Sequence, residues 1–177
     1  MKFSLKSALI AILTATSIAP ALLFAGSASA QPKGTNANYI GAGPSFGVTN
    51  GGSTTGGDAA TFGGSIQGRL TTPIQGVSVR GAVDFSDETS AIMPMVSYDV
   101  PVAKNTNAYV MGGYSFVESN GKPTPLGNQD APVVGVGVES QVGDNIVVYG
   151  NTKLGINAYQ NSPASAVNVN VGAGFMF

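Results

Sequence analysis

The chain contains no cysteine, no histidine and no tryptophan in 177 residues. Without cysteine there is no disulfide to staple a small core, as exported proteins often need, and no thiol chemistry. Without histidine the usual general base, the commonest metal ligand and any Ser-His-Asp triad are missing. Charge is scarce too: Asp, Glu, Lys and Arg make up 10% of the residues, against about 25% in a typical soluble domain. A water-soluble protein of this size covers its surface with Lys and Glu, and this chain has too few to do so. No segment has convincing helical periodicity, and no repeat longer than the strand rhythm stands out.

What is present begins with an export signal. Lys2 and Lys6 precede a mostly apolar stretch, Ala8 to Phe24, and Ser27-Ala28-Ser29-Ala30 supplies small residues in an A-x-A arrangement. Residues 1–30 are therefore expected to form a cleavable signal peptide, read at Ala28 and Ala30 and cut after Ala30. Thr14, Thr16, Ser17 and Pro20 dilute the stretch as a membrane anchor. Residues 31–37 are expected to be a short polar N-terminal segment in the periplasm, and 38–177 a single domain. Removing Lys2 and Lys6 leaves six basic against nine acidic residues, a net charge of −3. No basic patch points to nucleic acid.

From residue 38 onward apolar residues recur at every second position, the period of a two-faced strand. Eight strands are expected, at about 38–49, 58–71, 76–86, 90–100, 107–117, 131–141, 145–158 and 167–177, by this alternation. Turn residues separate several of them, as at Asn120-Gly121, Gly143-Asp144-Asn145 and Asn161-Ser162-Pro163. One face is oily: Ile40, Ala42, Phe46 and Val48 in the first strand, and Val167, Val169, Val171, Ala173, Phe175 and Phe177 in the last. The other is small and polar. Pro44 and Pro94 fall inside strands and each removes a ladder donor, so a bulge or a shifted boundary is expected there.

Every charge in the strand bodies lies on the small, polar face: Arg69, Arg80, Asp84, Asp99, Glu139 and Lys153. If the oily face were a core, the outer surface would be Gly, Ser and Asn almost bare of Lys and Glu, a poor soluble surface. If the oily face meets lipid, three cations and three anions lie inside, where they can pair. A bilayer admits only helices or closed barrels, and tilted strands of about ten residues cross it. An even strand count puts both termini on one side. The short connections (72–75, 101–106, 142–144) then share that side, and the longer ones (50–57, 118–130, 159–164) lie opposite, as in outer-membrane barrels. Phe62, Phe85, Tyr114 and Phe116 collect near one rim, and Tyr98, Phe175 and Phe177 near the other. The fold expected is all-β, an eight-stranded antiparallel up-and-down transmembrane barrel in the outer membrane.

On these residues the mature chain resembles the small eight-stranded outer-membrane barrels, the OmpA/OmpX-like family. The terminal aromatic of the last strand is the most specific local piece. The resemblance implies that Val169, Val171, Ala173, Phe175 and Phe177 carry the signal read by the barrel-assembly machinery. Full-length OmpA has a periplasmic domain after its barrel; none is expected here, so peptidoglycan binding is not carried over.

No residue set calls for catalysis, cofactor or metal, and no enzyme activity is expected. Gly41-Ala42-Gly43 and Gly135-Val136-Gly137 fall short of G-x-G-x-x-G and read as glycines that admit large neighbours. Asp84 and Asp99 sit at opposite ends of the barrel. Met93 and Met95, without Cys or His, read as lumen filler. The six inward charges are either a plug or a polar path for small ions. An eight-stranded barrel is just wide enough for side chains to fill, which favours the plug, whereas inward glycines favour water-filled space. Three functions stay open: a structural barrel or narrow porin-like channel, a surface-binding barrel acting through its outer loops, and a soluble secreted ligand carrier.

Overall fold

Strands whose alternate residues are Val, Ile and Phe on one side and Gly, Ser and Asn on the other leave rows of backbone donors and acceptors at every edge. Closing the sheet on itself removes the edges. The computed structural model describes residues 33–49, 51 and 62–177 and shows that closure. Its strands are β1 Tyr39–Gly47, β2 Gly63–Thr71, β3 Val77–Phe85, β4 Ser90–Ala103, β5 Thr106–Val117, β6 Ala131–Val142, β7 Ile146–Gly155 and β8 Ala166–Met176. Each pairs antiparallel with its sequence neighbour and β8 pairs with β1. The expected signal peptide, with Ala28 and Ala30, lies outside the described residues.

The alternation falls as the parity demands. Ile40, Phe62, Val110 and Phe175 point outward and are each more than half exposed, while Tyr39, Arg69, Arg80 and Lys153 point inward and are buried. Aromatic residues band both rims. Phe46 packs edge-on against Phe62 at 5.6 Å and Tyr114 against Phe116 at 4.9 Å on the loop side; Tyr98, Phe175 and Phe177 stand exposed on the side of the termini. One outward position departs from the pattern: Val167 is buried, next to the loops over that rim.

Neither proline makes a bulge. Pro44 stays in register with Gly64 across from it on β2, and Pro94 with Gly81 on β3. On the other flank the paired registers resume unshifted after a local gap, at Gly43–Pro44 against β8 and at Met93–Pro94 against β5. Each proline thus costs pairing on one side only, where its missing N–H leaves a gap in the ladder, and its ring faces outward. The one register shift against β5 falls later, between Pro101 and Ala103, and carries β4 beyond its expected end at 100. β7 stops at Gly155, short of the expected 158, because Asn157 turns the chain at φ 54°.

The seam that closes the barrel is made of its smallest residues. Gly41-Ala42-Gly43 of β1 lies opposite Gly172-Ala173-Gly174 of β8, with Gly41 against Gly174 and Ala42 against Ala173. On the outer face this leaves a groove of about 380 Å³ walled by Ile40, Ile66, Ile146 and Phe175.

Candidate functional site

Inward positions on neighbouring strands stack into layers, and these layers hold the charges. Four of the six predicted residues meet near the side of the termini. Arg69 of β2 contacts Asp99 at 2.9 Å and Glu139 at 3.1 Å. Arg80 of β3 reaches the same two acids, Asp99 and Glu139, at 3.0 Å each. Two guanidiniums and two carboxylates alternate around a closed ring with no net charge. The spare valences are filled as well. Ser78 and Ser97 donate to Asp99, Asn107 Nδ2 and the Tyr39 hydroxyl donate to Glu139, and the Arg80 guanidinium lies 3.7 Å from the centre of the Tyr109 ring. Buried ions tolerate desolvation only when paired and hydrogen-bonded this fully.

The other two charges stand apart from the ring. Lys153 Nζ contacts Asp84 Oδ2 at 2.8 Å with both side chains fully buried. With its amide oriented to suit its neighbours, Asn170 accepts from Lys153 at 2.6 Å and donates to Ser45 at 2.7 Å. The six residues therefore form a quartet and a pair, and the separation of Asp84 from Asp99 follows from their strand positions. Between them lies a neutral layer: Gln67 donates to Tyr39 at 3.0 Å, and Asn151 to Gln67 at 2.9 Å. The opposite wall is apolar, with Met93, Met95, Met111 and Val133 packed together. The two methionines singled out in the sequence are thus lumen filler.

The inward glycines are roofed by side chains. A Cβ on Gly137 would come within 2.5 Å of the Tyr109 ring, one on Gly172 within 2.5 Å of the Tyr149 hydroxyl, one on Gly135 within 2.6 Å of the Met111 methyl, and one on Gly174 within 2.9 Å of the Tyr39 ring. The space that these glycines open is taken by tyrosine and methionine, and Tyr39 stacks on Tyr149 at 5.7 Å.

A segment of the chain lies over each mouth. On the side of the termini, residues 33–37 enter the barrel instead of trailing into solvent, so that Thr35 and Ala37 are buried. The Asn107 amide grips the Thr35 peptide from both sides, accepting from its N–H at 3.1 Å and donating to its carbonyl at 2.7 Å. Arg69 Nη1 donates to the carbonyls of Thr35 and Ala37 at 3.3 and 3.0 Å. Beside this strap a polar vestibule of about 640 Å³, with Thr71, Gln75, Ser78, Asp99 and Asn107 in its walls, leads to the quartet.

On the other side the connections 118–130 and 156–165 fold into one cap. Asn128 N donates to the Ala158 carbonyl at 2.9 Å, Gln160 N to Asn128 Oδ1 at 2.8 Å, and Leu126 and Tyr159 are buried beneath. The Lys122–Glu88 pair at 2.8 Å lies on the exposed rim, where ion pairs contribute little. Tyr159 donates to the Thr49 carbonyl at 2.7 Å, and burial pushes its phenol up to about 12. Because the folded value lies above the free one, this contribution to the cap is complete below the ordinary tyrosine range near pH 10 and is lost as pH rises through about 12. Tyr159→Phe is expected to remove the loss over that window, read by proteolysis of the loops against pH.

The sequence placed the charges, and Ser78 and Ser97 with them, on one face and missed what completes the site: Asn107 and the strap. Asn107 shares the parity of Tyr109, which was the available signal; the strap has no alternation to reveal it.

The barrel has the fold of the small eight-stranded outer-membrane barrels. It is similar to the N-terminal β-barrel domain of Pseudomonas aeruginosa OprF, at 14% identity and TM-score 0.52, over 82% of this chain and 100% of that one. It is similar to Neisserial surface protein A, NspA, at 15% identity and TM-score 0.53, over 79% and 97%. It is also similar to Ail, the attachment invasion locus protein of Yersinia pestis, at 13% identity and TM-score 0.50, over 80% and 99%. No protein-family model matches the chain, and no curated protein matches it.

Proposed function

We propose that this chain is an integral outer-membrane barrel with a closed, charge-braced lumen, whose role is structural or that of a narrow channel with rare openings. The observation that carries this reading is the inversion of the molecule: apolar and aromatic side chains outside, and six paired charges inside. In water that arrangement exposes a belt of Val, Ile and Phe; in a bilayer the belt meets lipid and the charges stay paired inside. Residues 1–30 would direct export, outer-membrane lipid would meet the belt, and Val169, Val171, Ala173, Phe175 and Phe177 would present the last strand to the assembly machinery. Small ions or solutes are the candidate permeants.

The test is conductance of refolded chain 31–177 in a planar bilayer, with folding checked in the same sample by the shift in gel mobility between unheated and boiled protein. The expected result is a folded, inserted barrel that is silent or opens only briefly. Continuous current steps from the folded form would overturn the closed-lumen reading. Replacing Glu139 and Lys153 together by Ala, which removes one partner from each charge cluster, is expected to raise the leak.

A second reading has its own observation. The connections 118–130 and 156–165 form a hydrogen-bonded cap with a buried apolar underside, which suits a surface that meets a partner. Shortening 119–129 should then abolish adhesion of cells displaying the barrel while leaving conductance unchanged; unaltered adhesion would overturn it.

A further inference from the structure

The segment Lys33–Ala37 belongs to the short N-terminal stretch ahead of the barrel, and its seating is specific. Gly34 lies at φ +60°, in the left-handed region that side chains other than glycine seldom adopt. A Cβ there would come within 2.1 Å of Asn107 Oδ1, the atom that accepts the Thr35 N–H. Gly34 N donates to the Ala103 carbonyl at 3.1 Å, and the Thr35 hydroxyl to Gln141 Oε1 at 3.3 Å. The strap thus lies over the ends of β4, β5 and β6 and is bonded to Arg69 of β2, and the vestibule opens beside it, lined by β2, β3 and β4, by Asn107 of β5 and by Lys33, Thr35 and Asn36 of the strap itself. The two together make up the mouth: one half is water-accessible down to Asp99, and the other is sealed over Glu139.

The strap also holds the quartet in shape. Arg69 Nη1 is shared between Glu139 Oε1 and two strap carbonyls. Asn107 Nδ2 is shared between Glu139 and the Thr35 carbonyl. If the strap leaves, Arg69 loses two acceptors and Asn107 loses its main partner, and both gain room to turn toward the vestibule. The contacts are hydrogen bonds alone, two of them from the Arg69 guanidinium, with no ion pair and no large apolar anchor. Such a set releases more readily than the strands do.

We propose that residues 33–37 are the gate of the terminal-side mouth: seated, they lock Arg69 and Asn107 onto Glu139; released, they extend the vestibule to the whole quartet and permit ion passage. This rests on the closed-lumen reading above. It assigns the opening step to the strap, with the charges as what the strap holds shut.

Gly34→Val tests it, since a β-branched residue fits neither the φ nor the space, and Gly34 belongs to no charge cluster. Thr35→Pro, which removes the N–H that Asn107 accepts, is the second variant should the first fold poorly. Seating is read by hydrogen exchange at the Thr35 amide, bonded to Asn107, in the wild type and Gly34→Val, and at the Gly34 amide, bonded to the Ala103 carbonyl, in the wild type and Thr35→Pro; gating is read by single-channel recording of each full mature chain. The wild type should show a protected Thr35 amide and rare openings. Either variant should show fast exchange in the strap, an unchanged gel-mobility shift, and an open probability raised about tenfold or more, as expected for the loss of hydrogen bonds to a charged group. A released strap in a folded barrel that stays silent beside a silent wild type would overturn the gate and leave the closed-lumen reading standing. A wild type that conducts continuously with Thr35 protected would overturn both.

Discussion

Glu139→Ala should lower the unfolding free energy by about 3–5 kcal/mol, the range for breaking a buried ion pair by removing one partner. The side chain is fully buried and contacts both guanidiniums of the quartet. Its removal leaves Arg69 and Arg80 sharing Asp99 alone, and leaves the Tyr39 hydroxyl and Asn107 amide without their acceptor. Urea unfolding in detergent micelles, followed by tyrosine fluorescence and gel mobility, measures the change; the absence of tryptophan keeps the tyrosine signal clean. Lys153→Met alone should cost a similar amount, because Asp84 is left charged and buried. The double variant Asp84→Leu with Lys153→Met should recover most of that loss, since replacing both members of a buried pair by apolar residues is often neutral. A Glu139→Ala barrel as stable as the wild type would mean that the guanidiniums are already hydrated and that the ring is not a brace.

Gly43→Val is expected to have the other large effect, on the order of 3 kcal/mol or more, the upper end for overpacking a fitted contact. A Cβ there would come within 1.9 Å of the Val171 carbonyl oxygen and 2.7 Å of Gly172 Cα. Both are backbone atoms, so no rotamer change relieves the clash, and the neighbouring Pro44 already interrupts pairing on this flank. The measurement is the yield of the fast-migrating folded band after refolding, which should collapse. Ala42→Val is the control: one residue away on the same seam, it points outward into the groove and should fold normally. Equal yields from the two would show that bulk at the seam, not backbone proximity, is what matters.

These two sites differ in how far the sequence revealed them. The inward position of Glu139 followed from parity alone: in a strand, a residue two places from Gly137 and four from Gly135 must share their face. Parity is local and survives errors in strand ends, so all six charges were placed even though β2 starts at Gly63 and β7 ends at Gly155. Which charges meet depends on tilt and register across several strands, and no local pattern carries that; hence the division into a quartet and a pair was not visible. Gly43 looked like any other small inward residue, because its role comes from a carbonyl on β8, more than a hundred residues away. The prolines misled in the opposite direction. A missing donor is a local fact, but its cost depends on whether the neighbouring ladder can skip one pair, and here it can. The strap has no period at all, since five residues held by Asn107 and Arg69 leave no trace in alternation.

The Gly-Ala-Gly seam has a kinetic consequence. Seven of the eight strand pairings join sequence neighbours and can zip from their turns, at small loop-closure cost. The pairing of β1 with β8 instead ties together the two ends of the domain, from Tyr39–Met176 to Gly47–Asn168. It therefore carries the largest closure entropy, while the Gly-Ala-Gly stretch at its middle offers little side-chain contact in return. The curled eight-stranded sheet should be the last species before the native barrel and the first formed when it opens, with a free edge of β8 on one side and of β1 on the other. Any agent that captures a bare strand edge would meet this protein there, and only during that interval.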